Sequence, residues 1–170
     1  MSGARVAVAE EYMAGGTCVV RGCVPKKLMV YASEFAQGFE LARKYGWTVP
    51  QPTFDWREFK TTKDLEIARL SGIYTSNLKK TGADILHDRA RFIDPHTLEL
   101  VNEGRKITAA KVLIAVGGRP KLPTDLPGVE HAITSEHLFE LSSLPASMVI
   151  VGGGYIAVEF ACVFHALGVK

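Results

Sequence analysis

Charge of one sign is scarce in this sequence. Across 170 residues, 20 Lys plus Arg stand against 18 Asp plus Glu, a formal net charge of +2. A surface so balanced offers no electrostatic footprint for nucleic acid or an anionic membrane, so neither is expected as a partner. No uninterrupted apolar run approaches the ~18 residues that span a bilayer, and no charged-then-apolar leader opens the chain. Cysteine is also rare. Three residues are too few, and odd in number, for a secreted disulfide framework. A reducing cytoplasm is therefore the expected location, and any cysteine pair there needs a chemical reason. Hydrophobic residues at 47% against charged residues at 22% exclude disorder, and the length predicts an ordinary globular domain. Internal repeats and low-complexity tracts are absent.

The pattern that remains alternates strands and helices. Arg5–Glu10 reads as a short buried strand, followed by a Gly15-Gly16 loop. Pro25 sits where a first helical position is expected, since its missing N–H costs nothing there. From Val24 to Tyr45, Leu28, Tyr31, Phe35, Phe39 and Ala42 recur at three or four, a helical stripe that Gly46 ends. Asp55 with Glu58 opens a second helix whose expected inner face is Trp56, Phe59, Leu70, Ile73, Tyr74 and Leu78, with Gly82 closing it. Turn chemistry then predicts a three-stranded meander of Ile85–Phe92, Thr97–Val101 and Lys106–Thr108. Two continuous apolar runs, Lys111–Val116 and Met148–Val151, read as strands covered on both faces. Between them the Pro-rich stretch to Pro127-Gly128 reads as a crossing between domains. A last helix, with Ile156, Phe160, Val163, Phe164 and Leu167 inside, ends at Gly168. Cys162 is expected on its inner face as a structural residue.

Two constellations carry chemistry. In Gly16-Thr17-Cys18-Val19-Val20-Arg21-Gly22-Cys23-Val24-Pro25-Lys26-Lys27 the cysteines are separated by four residues, not the two of a thioredoxin-type motif. No second cysteine pair or paired histidines follow at zinc spacing, so no metal is expected. Two small buried hydrophobes is the plain alternative. Positions five apart on a straight helix differ by about 7.5 Å in rise, beyond the ~6.8 Å usual between Cα atoms of a disulfide. A bridge would therefore demand a broken helix, which Gly22 permits. Cys23 would then start the following helix, where free N–H groups and the dipole favour a thiolate. The second constellation, Val149-Ile150-Val151-Gly152-Gly153-Gly154-Tyr155-Ile156-Ala157-Val158-Glu159, fits G-x-G-x-x-A between strand and helix. Gly152 makes the tight turn, Gly154 admits a pyrophosphate to the backbone, and Ala157 lets helix and strand pack closely. Glu159, charged in an otherwise apolar segment, reads by itself as a solvated carboxylate.

On these residues the chain resembles the flavin-dependent pyridine nucleotide–disulfide oxidoreductases, and within them the glutathione reductases. Gly15-Gly16-Thr17-Cys18-x4-Cys23-Val24-Pro25-Lys26-Lys27 is similar to their redox-disulfide segment, and the Lys26-Lys27 pair is shared with the related trypanothione reductases. Ala115-Val116-Gly117-Gly118 is similar to the stretch that closes the first flavin-binding region, with Val116 where Thr is more usual. The resemblance implies an α/β fold: a partial doubly wound FAD-binding domain over residues 1–118, then the start of a Rossmann-like NADP-binding domain over residues 119–170. It implies FAD and NADPH as cofactors, glutathione disulfide as substrate and a homodimer for the full-length enzyme.

Residue by residue, it implies that Cys18 is the interchange thiol and Cys23 the charge-transfer thiol against the flavin. Lys26 would lie by the flavin's reactive edge and pair with Glu159. Glu10 would hold the ribose of the flavin nucleotide. Gly16, Thr17, Val116 and Gly117 would line the flavin, with Arg89 and Ala90 at its adenine side. Gly152, Gly154, Tyr155 and Ile156 would hold the nicotinamide nucleotide, Tyr155 covering the pocket. Tyr74 would line the glutathione site. The family's first strand with its Gly-rich turn, its phosphate-reading arginines and its His–Glu acid/base pair have no counterpart between residues 1 and 170. The expectation is an internal fragment, inactive by itself. Its rivals are another disulfide reductase of the same fold, acting on a trypanothione-like or other low-molecular thiol, and a non-catalytic remnant.

Overall fold

The computed structural model describes residues 3–170, a mixed α/β chain. It divides into two compact units: the chain through Val20 with Ala68–Gly118, and Arg21–Ile67 with Arg119–Lys170.

In the first unit, β1 (Ala7–Ala9) lies parallel to β2 (Asp84–Leu86) in the register Ala7–Asp84, Val8–Ile85, Ala9–Leu86. Flanking bonds from Asp84 N to Val6 O (2.9 Å) and Glu10 N to Leu86 O (3.0 Å) lengthen the ladder. The expected strand Ile85–Phe92 is thus two elements. Its start pairs with β1, and its end is β3 (Ala90–Asp94), antiparallel to β4 (Thr97–Leu100), which pairs with β5 (Arg105–Thr108). Asp88 separates them. This carboxylate, only 1% exposed, accepts backbone N–H groups from Arg89 (2.6 Å), Asn102 (3.0 Å) and Glu103 (2.9 Å). Desolvation pushes its pKa up, but the N–H donors of Asn102, Glu103 and Arg89 outweigh it and hold the group below its ordinary value.

In the second unit, α2 (Cys23–Lys44) packs on α5 (Tyr155–Ala166). The core gathers Met29, Trp56, Leu138, Phe139, Phe160, Val163, Phe164 and Val169. Phe139 meets Phe160 edge-on at 5.5 Å between centroids, and Trp56 lies 6.2 Å from Phe164. The Trp56 indole N–H donates to Leu141 O at 2.7 Å, which fixes the start of α3 (Trp56–Lys80). Asp55 caps that helix, accepting from Arg57 N (2.8 Å) and Glu58 N (3.1 Å). Further along α3, Lys60 bridges Asp64 (2.6 Å) and Glu140 (3.1 Å), and buried Lys63 pairs with Asp64.

Several expectations are corrected. The buried stripe of α2 is Pro25, Met29 and Ser33, and Tyr31 and Phe35 are exposed. These follow an i, i+4 repeat whose Met29 joins Phe160 and Phe164 of α5 in the core, and the aromatic stripe lies on a different face. Pro25 is the third helical residue, still within the first turn, where a missing N–H breaks no intrahelical bond. On α3 the residues most buried beyond Trp56 are Lys63, Ile67 and Ser71, with Ile73 and Tyr74 exposed. In β1 only Val8 is half-buried. Residues 111–116 and 148–151 form no ladder, and Leu113 and Val149 are 89% and 91% exposed. An extended apolar run becomes a strand only when neighbours accept its backbone bonds, and among the described residues these segments have no such ladder. The nearest approach is at Met148, whose N donates to Lys170 O (2.9 Å), while Lys170 N donates to Ala146 O (3.2 Å). On α5, Ile156 and Cys162 are exposed, so the structural role expected for Cys162 is withdrawn. No helix of the described chain is long and apolar enough to cross a membrane.

Candidate active site

The cysteine segment is built by two helices and a break. Gly15 (φ 126°) and Gly16 (φ 62°) turn the chain into α1 (Gly16–Arg21). A Cβ on Gly15 would meet the Val19 side chain at 2.7 Å, so this position has room only for hydrogen. Helix α1 stops at Arg21, Gly22 breaks the path, and α2 begins at Cys23. The break is the departure from a straight helix that a bond across five positions requires. Cys18 and Cys23 are both disulfide-bonded, and the third cysteine, Cys162, is free, so the two are joined as a pair.

Cys23 starts a 22-residue helix whose cap, Gly22, supplies no side chain to the first-turn N–H groups. Once the disulfide opens, those groups favour a thiolate at this position. On the same turn, Lys26 Nζ donates to Glu159 Oε1 of α5 at 2.7 Å, both side chains being partly buried. Lys27 turns elsewhere, lying over the Tyr31 ring at 4.8 Å.

The glycine-rich segment before α5 is a second helix start of this kind. Gly152 has φ 121°, which a side chain would oppose, and Gly154 caps α5 with no side-chain hydrogen bond. A Cβ built on Gly152, Gly153 or Gly154 would meet nothing within 4 Å, so the backbone there is open to an approaching group. Open glycine backbone at a helix start fits a pyrophosphate. Tyr155 and Ile156 follow, Tyr155 largely exposed.

In the first unit, a Cβ on Gly117 (φ 69°) would meet Thr17 Oγ1 at 3.5 Å, so Thr17 and Gly117 come together, with Val116 exposed beside them. A hydroxyl beside bare backbone suits the edge of a flat, hydrogen-bonding ring such as flavin. Glu10 follows β1 and accepts the Tyr12 N–H at 2.9 Å. Arg89 precedes β3, which Ala90 opens. Tyr74 is exposed on α3.

Sequence reading missed two groups. Asp88 pins the backbone beside Arg89 through donors 14 and 15 positions away, which no local pattern displays. Arg21, inside the cysteine spacing, forms an ion pair with Glu136 (3.7 Å), and its charge between two cysteines was the available signal.

The sequence and the fold both have relatives among known proteins. The chain is 51% identical over 166 residues to a glutathione reductase of Nostoc sp., covering 98% of this chain and 36% of that protein. It is 46% identical over 154 residues to a chloroplastic/mitochondrial glutathione reductase of Pisum sativum, covering 90% and 27%. A Burkholderia cepacia glutathione reductase matches at 45% over 166 residues, covering 98% and 36%. The chain thus spans about a third of the length of these curated relatives. Among solved structures, the HOCl-induced flavoprotein disulfide reductase RclA from Escherichia coli superposes with a TM-score of 0.82 at 29% identity, over 99% of this chain and 36% of that one. The profile of the pyridine nucleotide-disulphide oxidoreductases matches residues 1–170. With that match running the length of the sequence, the chain belongs to the pyridine nucleotide-disulphide oxidoreductases.

Proposed function

We propose that this chain is the redox-disulfide portion of a glutathione-disulfide reductase. Electrons from NADPH would pass through FAD to the Cys18–Cys23 disulfide and on to glutathione disulfide. The observation that carries the reading is the bonded cysteine pair at the start of α2, in a sequence 51% identical to a glutathione reductase. Residues 1–118 belong in this reading to a FAD-binding domain and residues 119–170 to the start of an NADP-binding domain. A cytoplasmic homodimer is its working form.

Bound flavin and reduced nicotinamide nucleotide supply the electron pair that opens the disulfide. Cys18 thiolate then attacks one sulfur of glutathione disulfide, forming a mixed disulfide and expelling one glutathione thiolate, which takes up a proton. Cys23 thiolate attacks the Cys18 sulfur, restoring the pair and releasing the second glutathione. With the disulfide open, the free N–H groups of the α2 N-terminus would favour Cys23 as thiolate, and Lys26, paired with Glu159, would add positive charge on the same turn. Thr17, Gly16, Val116 and Gly117 would border the flavin ring, with Glu10, Arg89 and Ala90 toward its nucleotide end. Gly152, Gly154, Tyr155 and Ile156 would hold the nicotinamide nucleotide, and Tyr74 would contact glutathione.

The test is NADPH oxidation by the flavin-loaded protein at the full length of its relatives, offered glutathione disulfide, trypanothione disulfide and other low-molecular disulfides in turn. Preference for glutathione disulfide is expected. Cys18→Ser should abolish disulfide reduction while NADPH still bleaches the bound flavin. Preference for another disulfide would replace the substrate assignment, and undiminished turnover in Cys18→Ser would remove the thiol assignment.

A further inference from the structure

Of the four residues between Cys18 and Cys23, only Arg21 is charged. It is the last residue of α1, and its Nη1 lies 3.7 Å from Glu136 Oε2. Glu136 sits on a short helix, α4 (Ser135–Leu138), that is firmly held. Thr134 N donates to His137 Nδ1 at 3.1 Å, and Leu138 and Phe139 enter the core beside Phe160. The carboxylate facing Arg21 is therefore carried on a fixed support.

This pair acts on the cysteines by position and by charge. Mechanically, it ties down the end of α1 immediately before the Gly22 break. Electrostatically, two residues of chain put the Arg21 and Cys23 Cα atoms at most about 7 Å apart, and the guanidinium sits on a long side chain whose placement Glu136 helps to fix. How much guanidinium charge a Cys23 thiolate meets then depends on Glu136. The other cations of this turn have separate commitments, Lys26 to Glu159 and Lys27 to the Tyr31 ring.

We propose that Glu136, acting through Arg21, is a positioning residue that sets the reduction potential of the Cys18–Cys23 pair. The proposal rests on reading that pair as redox-active. A cation near a thiolate stabilises the reduced form, and a stabilised reduced form makes the disulfide a stronger oxidant. Glu136→Gln leaves Arg21 less compensated and makes the disulfide more oxidising. Arg21→Met removes the cation and makes it more reducing. The double variant, with neither charge, returns toward the starting value. A purely structural role would move both single variants in one direction.

The experiment equilibrates the native chain in dithiothreitol redox buffers at neutral pH. Each dithiothreitol gives up two electrons and two protons and closes to its cyclic disulfide, while the Cys18–Cys23 bond opens to two thiols. Released thiols are alkylated and counted by mass spectrometry, and circular dichroism follows the fold of each variant. The equilibrium should shift about threefold toward dithiol in Glu136→Gln and about threefold toward disulfide in Arg21→Met, the scale of one partly exposed charge. Arg21→Lys, which keeps the charge, should stay near wild type. Shifts of one sign in both single variants, or no shift in either, overturn the proposal and leave a redox-active pair standing. A disulfide that no dithiothreitol buffer opens overturns the redox reading itself, and this proposal with it.

Discussion

Lys26 and Glu159 meet across 133 positions of sequence, and their 2.7 Å contact joins the helix that starts at Cys23 to the helix of the nucleotide motif. Removing either partner strands the other in a partly buried place. A double-mutant cycle of Lys26→Met and Glu159→Gln in urea unfolding should return a coupling of about 0.5–1 kcal/mol, and a coupling of zero would make the pair incidental. Asp88 gives a pH signature. Its folded pKa lies below the ordinary carboxylate value, so its stabilisation is complete above that value and is lost as pH falls through the lower, folded one. The urea midpoint of Asp88→Asn should therefore trail wild type most at neutral pH, and the gap should close in acid. A gap that widens in acid would contradict the assignment. Of these residues, composition and spacing left Glu159 as a surface carboxylate, and only family resemblance paired it with Lys26. Asp88 was illegible because its partners are backbone N–H groups brought in by the β4–β5 turn.

At the scale of elements, helix ends were the legible part. Gly46 (φ 86°), Gly82 (φ 80°) and Gly168 (φ 93°) stand where helices stop, because each local backbone requires what glycine readily supplies. Which helix face is buried was less legible, since periodicity shows that apolar stripes exist but not which one meets a neighbour. In α2 the Met29 face packs on α5 and the aromatic face carrying Tyr31 and Phe35 does not. The redox segment depends on the turn before α1. Gly15→Ala would force a methyl group against Val19 and an unfavourable backbone, and should cost about 2–4 kcal/mol in urea unfolding. A loss under about 0.5 kcal/mol would show that the turn readily relaxes. Trp56→Phe keeps much of the packing but leaves the Leu141 carbonyl without its donor, and should cost about 1–3 kcal/mol. An unchanged unfolding midpoint would contradict that anchor.

Across the whole molecule, the largest gap between pattern and structure is the pair of apolar runs, 111–116 and 148–151. Their composition reads as strands, but strand formation is a property of pairs, and a single sequence does not show which partner accepts the backbone bonds. Leu113, Val116, Val149 and Val151 are all highly exposed, and apolar surface of this kind promotes self-association. Val149→Lys with Val151→Lys should reduce concentration-dependent sedimentation of the chain, and unchanged sedimentation would place the association elsewhere. The cysteine pair was legible from its spacing, its glycine and the helix after it, whereas the electron donor and acceptor proposed for it rest on family membership alone. The most direct test of the redox assignment uses reduced Cys23→Ser chain mixed with glutathione disulfide. Cys18 thiolate should displace one glutathione and remain in a mixed disulfide that nothing resolves, so peptide mapping should find glutathione on Cys18 well before the exposed Cys162. Glutathione on Cys162 first, with Cys18 unmodified, would contradict the account.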